Sequence, residues 1–242
     1  MEPWIDTHVH WDRYSEPEQS VMLSRAVEAE VGFISVGVDV ASSTRLLARK
    51  GALGVCVGVH PRNVGQPFEH ELRELAAHPS VVAIGECGFD AEGASAEAQL
   101  AAFHVQCRLA RERNLPLVLH IDGAGCFERF AEHYGEVDGL HLVRHYFIGD
   151  QAQADWHRDR GHYLSFGNPL RRSPDLREVA RHYPEHLLLI ETDSYPLPNR
   201  NTEPAHVVKV GETLALLRDW RFAQAREILA ANTRAAFPAL AL

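Results

Sequence analysis

Eight short apolar runs, near residues 3–6, 32–37, 53–59, 81–85, 116–119, 140–145, 162–166 and 187–192, alternate with longer amphipathic stretches along the chain. Those stretches, near 17–31, 41–50, 68–78, 96–113, 124–134, 150–160, 173–182 and 204–218, carry apolar residues at helical spacing, and a further one near 222–236 follows. Strict alternation of this kind demands crossovers that return each strand parallel to the one before. Spread over 242 residues, the eight units take about 30 residues each, enough for a strand, a loop, a helix and a return. The expected fold is therefore α/β, a TIM (β/α)8 barrel, with residues 1–242 as one domain. Local signals agree: Asn114 and Pro116 stop the 96–113 segment, and Ser173-Pro174 opens 173–182 as a cap followed by proline.

Parallel strands in a barrel end level with one another, so residues dozens of positions apart meet at the carboxyl face. Six metal-binding side chains, His8, His10, Glu86, His120, His145 and Asp193, stand at or just past the carboxyl ends of apolar runs. The pattern reads as a two-metal site. Thr7-His8-Val9-His10 points both imidazoles to one side of a strand, because side chains alternate with period two. Asp6, two residues earlier, is expected to accept from a ring N–H of that pair. Glu86 lies between Gly85 and Gly88, where missing side chains let the backbone turn tightly and leave room for ions. Its two oxygens suit it to bridge two metals. The two lysines, Lys50 and Lys209, fall on predicted helices, so a bridge has to come from a carboxylate.

Composition narrows the function classes. A formal charge of −9 disfavours indiscriminate adhesion to nucleic acid by the whole surface, yet leaves room for a local site where divalent ions add positive charge. Cys56, Cys87, Cys107 and Cys126 form no Cys-x-x-Cys pair, which argues for reduced core residues over a zinc knuckle or a disulfide framework. No basic segment followed by an apolar one opens the chain, and no run approaches the roughly 20 apolar residues that cross a bilayer. The expected compartment is the cytoplasm, with no membrane association. His70, His78, His104, His133, His141, His157, His162, His182, His186 and His206 fall mostly on predicted helices or helix ends, where surface and capping roles suffice.

Several motifs, in order along nearly the whole chain, resemble the TatD family of metal-dependent hydrolases. They are Val9-His10, Gly58-Val59-His60-Pro61, Gly85-Glu86-x-Gly88-x-Asp90, Leu115 to His120, His145-x-Phe147-x-Gly149, Tyr163 to Phe166, Glu191-Thr192-Asp193-Ser194, Thr202-Glu203-Pro204 and Asn232-Thr233 with Phe237. The resemblance implies a barrel holding two divalent ions and a nuclease that trims DNA from the 3′ end. It implies that His8, His10, Glu86 and Asp193 hold one ion, that Glu86, His120 and His145 hold the second, and that His60 is a histidine beside the pocket which contacts a phosphate oxygen. It also places Arg200 and Glu203 in the polar stretch that shapes the substrate end. The chain departs from the family after His120, where Ile121-Asp122-Gly123 replaces a polar pair, and in short loops after Asp90 and between Pro198 and Glu203. These loops line the entrance, so metal chemistry transfers more safely than substrate identity.

The chemistry expected of such a site is hydrolysis by a metal-activated water, with Asp193 accepting its proton and Glu86 and His60 completing the catalytic set. Imidazoles mixed with carboxylates suit Mg²⁺, Mn²⁺ or Zn²⁺. For a phosphodiester, Arg62, Arg171, Arg172 and Arg200 are placed to steady nonbridging oxygens, and Trp11, Phe89, Tyr146 and Tyr195 follow strand ends where bases would stack. The leading expectation is a deoxyribonuclease acting on a single-stranded DNA end. The alternatives are hydrolysis of a small amide, lactone or amine substrate on the same barrel, and a binding component with protein partners in a larger assembly, such as an antiphage defence system.

Overall fold

Valine, isoleucine and leucine dominate the apolar runs, and each run is short enough to be buried on both faces, as parallel strands under a layer of helices are. The structure, a computed structural model, describes residues 2–197 and 202–240. Its strands are β1 (Trp4–Val9), β2 (Val31–Val36), β3 (Gly54–Val57), β4 (Val81–Asp90), β5 (Leu117–Asp122), β6 (Leu142–Arg144), β7 (Tyr163–Phe166) and β8 (Leu188–Ile190). Each pairs in parallel with its sequence neighbour, so the sheet order is the chain order. The first and last strands come together through a parallel bridge between Val9 and Ser194, with His10 N–H donating to Ser194 O at 2.9 Å. The Thr7 hydroxyl adds a bond to Ile190 O at 3.1 Å. The result is the expected eight-stranded parallel barrel, nearly closed.

Helices α1 (Glu16–Glu28), α2 (Val40–Leu47), α3 (Glu69–Leu75), α4 (Ala96–Arg113), α5 (Cys126–Glu132), α6 (Gln151–Arg158), α7 (Pro174–His182) and α8 (Val207–Leu217) lie between or after the strands, and α9 (Phe222–Ala236) follows. Caps set several boundaries. Ser95 Oγ accepts from Ala98 N–H at the start of α4, and Asn114 ends it in the left-handed region at φ 52°. Ser173 caps α7 with Pro174 as the first helical residue. The stretch expected as a helix from 204 begins as a 3₁₀ turn, Pro204–His206, and becomes α-helical at Val207. No helix among the described residues is long and apolar enough to cross a membrane.

Two strands differ from expectation in a way that matters for the site. β1 does not stop at Asp6 but runs to Val9, so His8 is inside the strand and His10 just beyond it. β4 does not turn at Glu86; it continues through Gly85, Glu86 and Gly88 to Asp90, with a shift of register against β5 between Ile84 and Cys87. Gly85 (φ 136°) and Gly88 (φ 141°) make this irregularity accessible. A Cβ at Gly85 would lie 2.5 Å from Val118 O, and one at Gly88 would collide with the carbonyl of His120. The glycines thus let two backbones approach closely.

The core absorbs several residues expected elsewhere. Trp11 and Phe89 are fully buried, Trp11 against Phe33 and Phe89 against Phe103, so neither is free to stack on a base. His157 and His162 are buried rather than superficial: their Nδ1 atoms lie 3.0 Å apart, and Phe130 and Trp156 pack around them. The four cysteines are buried free thiols, as expected.

Candidate metal centre

The barrel brings all six expected ligands to one end. Glu86 sits at the centre, its two oxygens facing different histidines. Oε2 lies 3.3 Å from His8 Nε2 and 3.7 Å from His10 Nε2. Oε1 lies 2.7 Å from His120 Nδ1 and 2.8 Å from His145 Nε2. Asp193 closes the first side, with Oδ1 at 3.3 Å from His10 Nε2. Two triads result, His8 with His10 and Asp193, and Glu86 with His120 and His145; in each the donor atoms lie within 4.8 Å of one another. His60 approaches Glu86 Oε1 at 3.5 Å through Nε2, its Nδ1 accepting from Arg62 N–H at 3.0 Å.

The donor set fits divalent cations. Among the described residues, both ring nitrogens of the fully buried His8 and the Oε2 of Glu86 make no well-formed hydrogen bond, the 3.3 Å approach of His8 Nε2 to that oxygen included. Orphaned buried polar atoms cost about 1–3 kcal/mol each. Ring nitrogens and carboxylate oxygens converge with their lone pairs on shared points, which a cation satisfies and a neutral side chain does not. The backbone is also committed to the arrangement. Asp193 (φ 51°) and Tyr146 (φ 42°), beside His145, both occupy the left-handed region that non-glycine residues avoid.

Orientation comes from residues the sequence reading did not single out. Asp90 Oδ2 accepts from His120 Nε2 at 2.9 Å and from Arg62 Nε at 2.8 Å. Glu191 Oε1 lies 3.2 Å from His145 Nδ1 and accepts from Tyr146 N–H at 3.1 Å. His10 is held through Nδ1 by the carbonyl of Val36 at 3.0 Å. Each contact fixes one ring nitrogen and turns the other toward the site. The signal was present, since Asp90 and Glu191 stand in the same two motifs as Glu86 and Asp193. Asp6, expected to hold a ring N–H, does something else: it accepts from the backbone N–H of His8 and from the backbone and hydroxyl of Thr192, tying β1 to the segment after β8.

Charge is distributed by burial and proximity. Burial alone would raise the Glu86 carboxyl, but His145, His60 and His8 around it hold it well below the usual range. Burial disfavours the charged form of His145, yet the carboxylates of Glu86 and Glu191 carry it up to about 10. His60 has less compensation, and burial pushes it down to about 4. Asp193 is kept below its ordinary value by the hydrogen bond from His10, against the effect of burial.

Above these residues opens a cavity of about 400 Å³. Tyr146 and Tyr195 line it, as do Arg13, Arg62, Asn63, Asp122 and Arg144. Of the four aromatic residues expected near the substrate, the two tyrosines reach the cavity. Arg62 also reaches it, but its guanidinium is engaged by Asp90, by Glu92 at 3.2 Å and by Asp122 at 3.6 Å. Arg171 and Arg172 do not line it, and Arg200 lies outside the described residues. Glu203 is not brought to the cavity either: its buried carboxylate is taken by Arg25 of α1 at 2.5 Å, with His206 at 3.5 Å.

Comparison with known proteins agrees with this geometry. The family described as TatD related DNase matches residues 5–238. The "Uncharacterized metal-dependent hydrolase YabD" of Bacillus subtilis (strain 168) is 29% identical over 251 residues, covering 96% of this chain and 98% of that protein. The "3'-5' ssDNA/RNA exonuclease TatD" of Shigella flexneri serotype 5b (strain 8401) is 34% identical over 223 residues, covering 83% and 84%. Among solved structures, the TatD homolog YJJV from Escherichia coli K12 superposes with a TM-score of 0.86 at 26% identity, covering 97% of this chain and 98% of that one. A family match across almost the full length, on a barrel whose strand ends gather the donors a metal-dependent hydrolase needs, places the chain in the TatD family.

Proposed function

We propose that the protein is a two-metal phosphodiesterase that removes nucleotides from the 3′ end of single-stranded DNA, or of RNA, with Mg²⁺ or Mn²⁺ in the site. The observation that carries this reading is the placement of Glu86, one oxygen toward His8 and His10 and the other toward His120 and His145. His8, His10 and Asp193 would hold one ion, His120 and His145 the other, and Glu86 both. When bound, such a pair supplies a nucleophile at neutral pH and stabilises the charge of an in-line displacement.

The chain's own residues supply the rest. Asp193, its side chain 19% exposed at the cavity floor, takes the proton of the attacking water. His60 is held neutral by burial, with Nδ1 already accepting from Arg62, so Nε2 carries its proton and donates to a nonbridging phosphate oxygen. Tyr146 and Tyr195 on the cavity wall offer faces to the terminal bases. The name of the Shigella relative, a 3′–5′ exonuclease of single-stranded DNA and RNA, supports the same polarity and substrate.

The test is digestion of single-stranded oligonucleotides labelled at the 5′ or 3′ end, with each metal, beside a panel of small amides and lactones. Stepwise shortening from the 3′ end is expected. Turnover confined to the carbonyl substrates and lost in Asp193→Asn would reject the nuclease reading in favour of the small-molecule alternative.

A further inference from the structure

Among the described residues three arginines line the cavity, and two of them have their donors occupied by the protein. Arg62 is tied to Asp90 with Glu92 and Asp122 beside it. Arg144 is buried and donates to the carbonyls of His145 at 2.7 Å and Ile121 at 2.5 Å. The guanidinium of Arg13 is different: it is exposed, and among the described residues it is the cavity-lining cation with no side-chain partner.

Its base is nonetheless rigid. Arg13 ends a 3₁₀ turn, Trp11–Arg13, that begins directly after the ligand His10, and its N–H donates to the His10 carbonyl at 3.1 Å. The turn is clamped from several sides. Asp12 pairs with Arg45 of α2 at 2.7 Å, the carbonyl of Trp11 accepts from Gln19 at 2.7 Å, and that of Tyr14 accepts from Gln19 and Arg49 at 3.0 and 3.1 Å. A free guanidinium on a fixed support, one turn from a ligand, is a preorganised anion contact. A solvated surface arginine would not need a platform held by three tertiary partners, nor would it face the cavity.

We propose that Arg13 binds a phosphate adjacent to the scissile one and so makes the site prefer a nucleic-acid strand over an isolated phosphodiester. This deepens the nuclease reading and rests on it. With ions held by the candidate ligands, a scissile phosphate would already meet positive charge, which leaves a neighbouring phosphate as the group in need of a cationic partner. In a chain of formal charge −9, a cavity-lining cation without a side-chain partner among the described residues also favours the approach of a polyanion.

The experiment compares metal-loaded wild type, Arg13→Ala and Arg13→Lys on a single-stranded oligonucleotide and on bis(4-nitrophenyl) phosphate, which has one phosphate and no neighbour. For Arg13→Ala, the ratio of kcat/KM on the oligonucleotide to kcat/KM on the diester is expected to fall about tenfold, the scale of a lost charge-assisted hydrogen bond, and mainly through KM. The slope of log KM against log salt should decrease by about 0.7, the loss of one single-strand phosphate contact. Arg13→Lys, which keeps the charge, should recover most of the ratio. An unchanged ratio, or an equal loss on both substrates, would overturn the role of Arg13 while the nuclease reading stands. Wild type that cleaves no oligonucleotide would sink the nuclease reading itself, and this inference with it.

Discussion

Asp90 accepts from Nε2 of His120 at 2.9 Å, and this contact leaves Nδ1 as the ring atom that faces Glu86 at 2.7 Å. The carboxylate is itself anchored by Arg62 and by the backbone N–H of Glu92 at 2.8 Å. A carboxylate behind a ligating imidazole sets its tautomer and raises its basicity. Asp90→Ala is therefore expected to weaken binding of a divalent ion about 10–100-fold. Titration calorimetry with Mn²⁺ reads this directly, and unchanged affinity would show that His120 is oriented by packing alone.

Glu86 presents one oxygen to His8 and His10 and the other to His120 and His145, so its removal should separate the two sites. Glu86→Gln keeps the size but loses the charge that His145, His60 and His8 surround. The variant is expected to retain fewer ions per chain than wild type by elemental analysis after dialysis. Equal metal content in the two proteins would count against a bridging carboxylate.

Asp193 has the most exposed side chain of the six donors, at 19%, and its proposed work is to accept a proton. Asp193→Asn should lower kcat by about 10²–10⁴-fold, the usual worth of a general base. Single-turnover assays at saturating metal distinguish lost chemistry from lost metal. A variant whose full rate returns at high metal would reduce Asp193 to a ligand.

The buried pair His157 and His162 makes a separate prediction about acid. Burial, reinforced by nearby positive charge, lowers both, His162 to about 4 and His157 well below the ordinary histidine value. A histidine whose folded pKa is depressed stays neutral in the native state, while the unfolded chain takes up a proton below about 6.5. The stability that the pair contributes is thus complete above pH 6.5 and is lost as pH falls from there toward 4. For His162 alone the loss is on the order of 3 kcal/mol. Urea midpoints between pH 7.5 and 4.5 should fall more steeply for wild type than for His162→Gln, and parallel curves would refute the assignment.

Glu203 supplies a control for the boundary of the site. Arg25→Ala strips the buried carboxylate of its ionic partner and should destabilise the protein by about 1–3 kcal/mol. Because the pair lies away from the cavity, KM for an oligonucleotide should not change in protein that remains folded. A raised KM with an unaltered melting temperature would return Glu203 to the substrate end.

Much of this molecule is written in local pattern. The alternation of apolar runs and amphipathic stretches depends on neighbours a few residues apart, and it was sufficient to order the strands of the barrel and place α4 and α7 by their caps. The convergence of the six candidate ligands was legible for a related reason: strand ends in a barrel share one face, so polar donors that follow apolar runs must meet. What each donor touches is a matter of contacts between residues distant in sequence. Asp6 turned to Thr192, Asp90 to His120, Glu191 to His145 and Glu203 to Arg25, and none of these pairings has a periodic signature. Trp11 and Phe89 follow strand ends as Tyr146 and Tyr195 do, yet the first two are core and the last two line the cavity. The chain alone determined which residues arrive at the carboxyl rim, because arrival is set by the strand and helix periods. The packing of the barrel decided which atoms face one another there, because buried polar groups need partners and only the assembled structure supplies the choices.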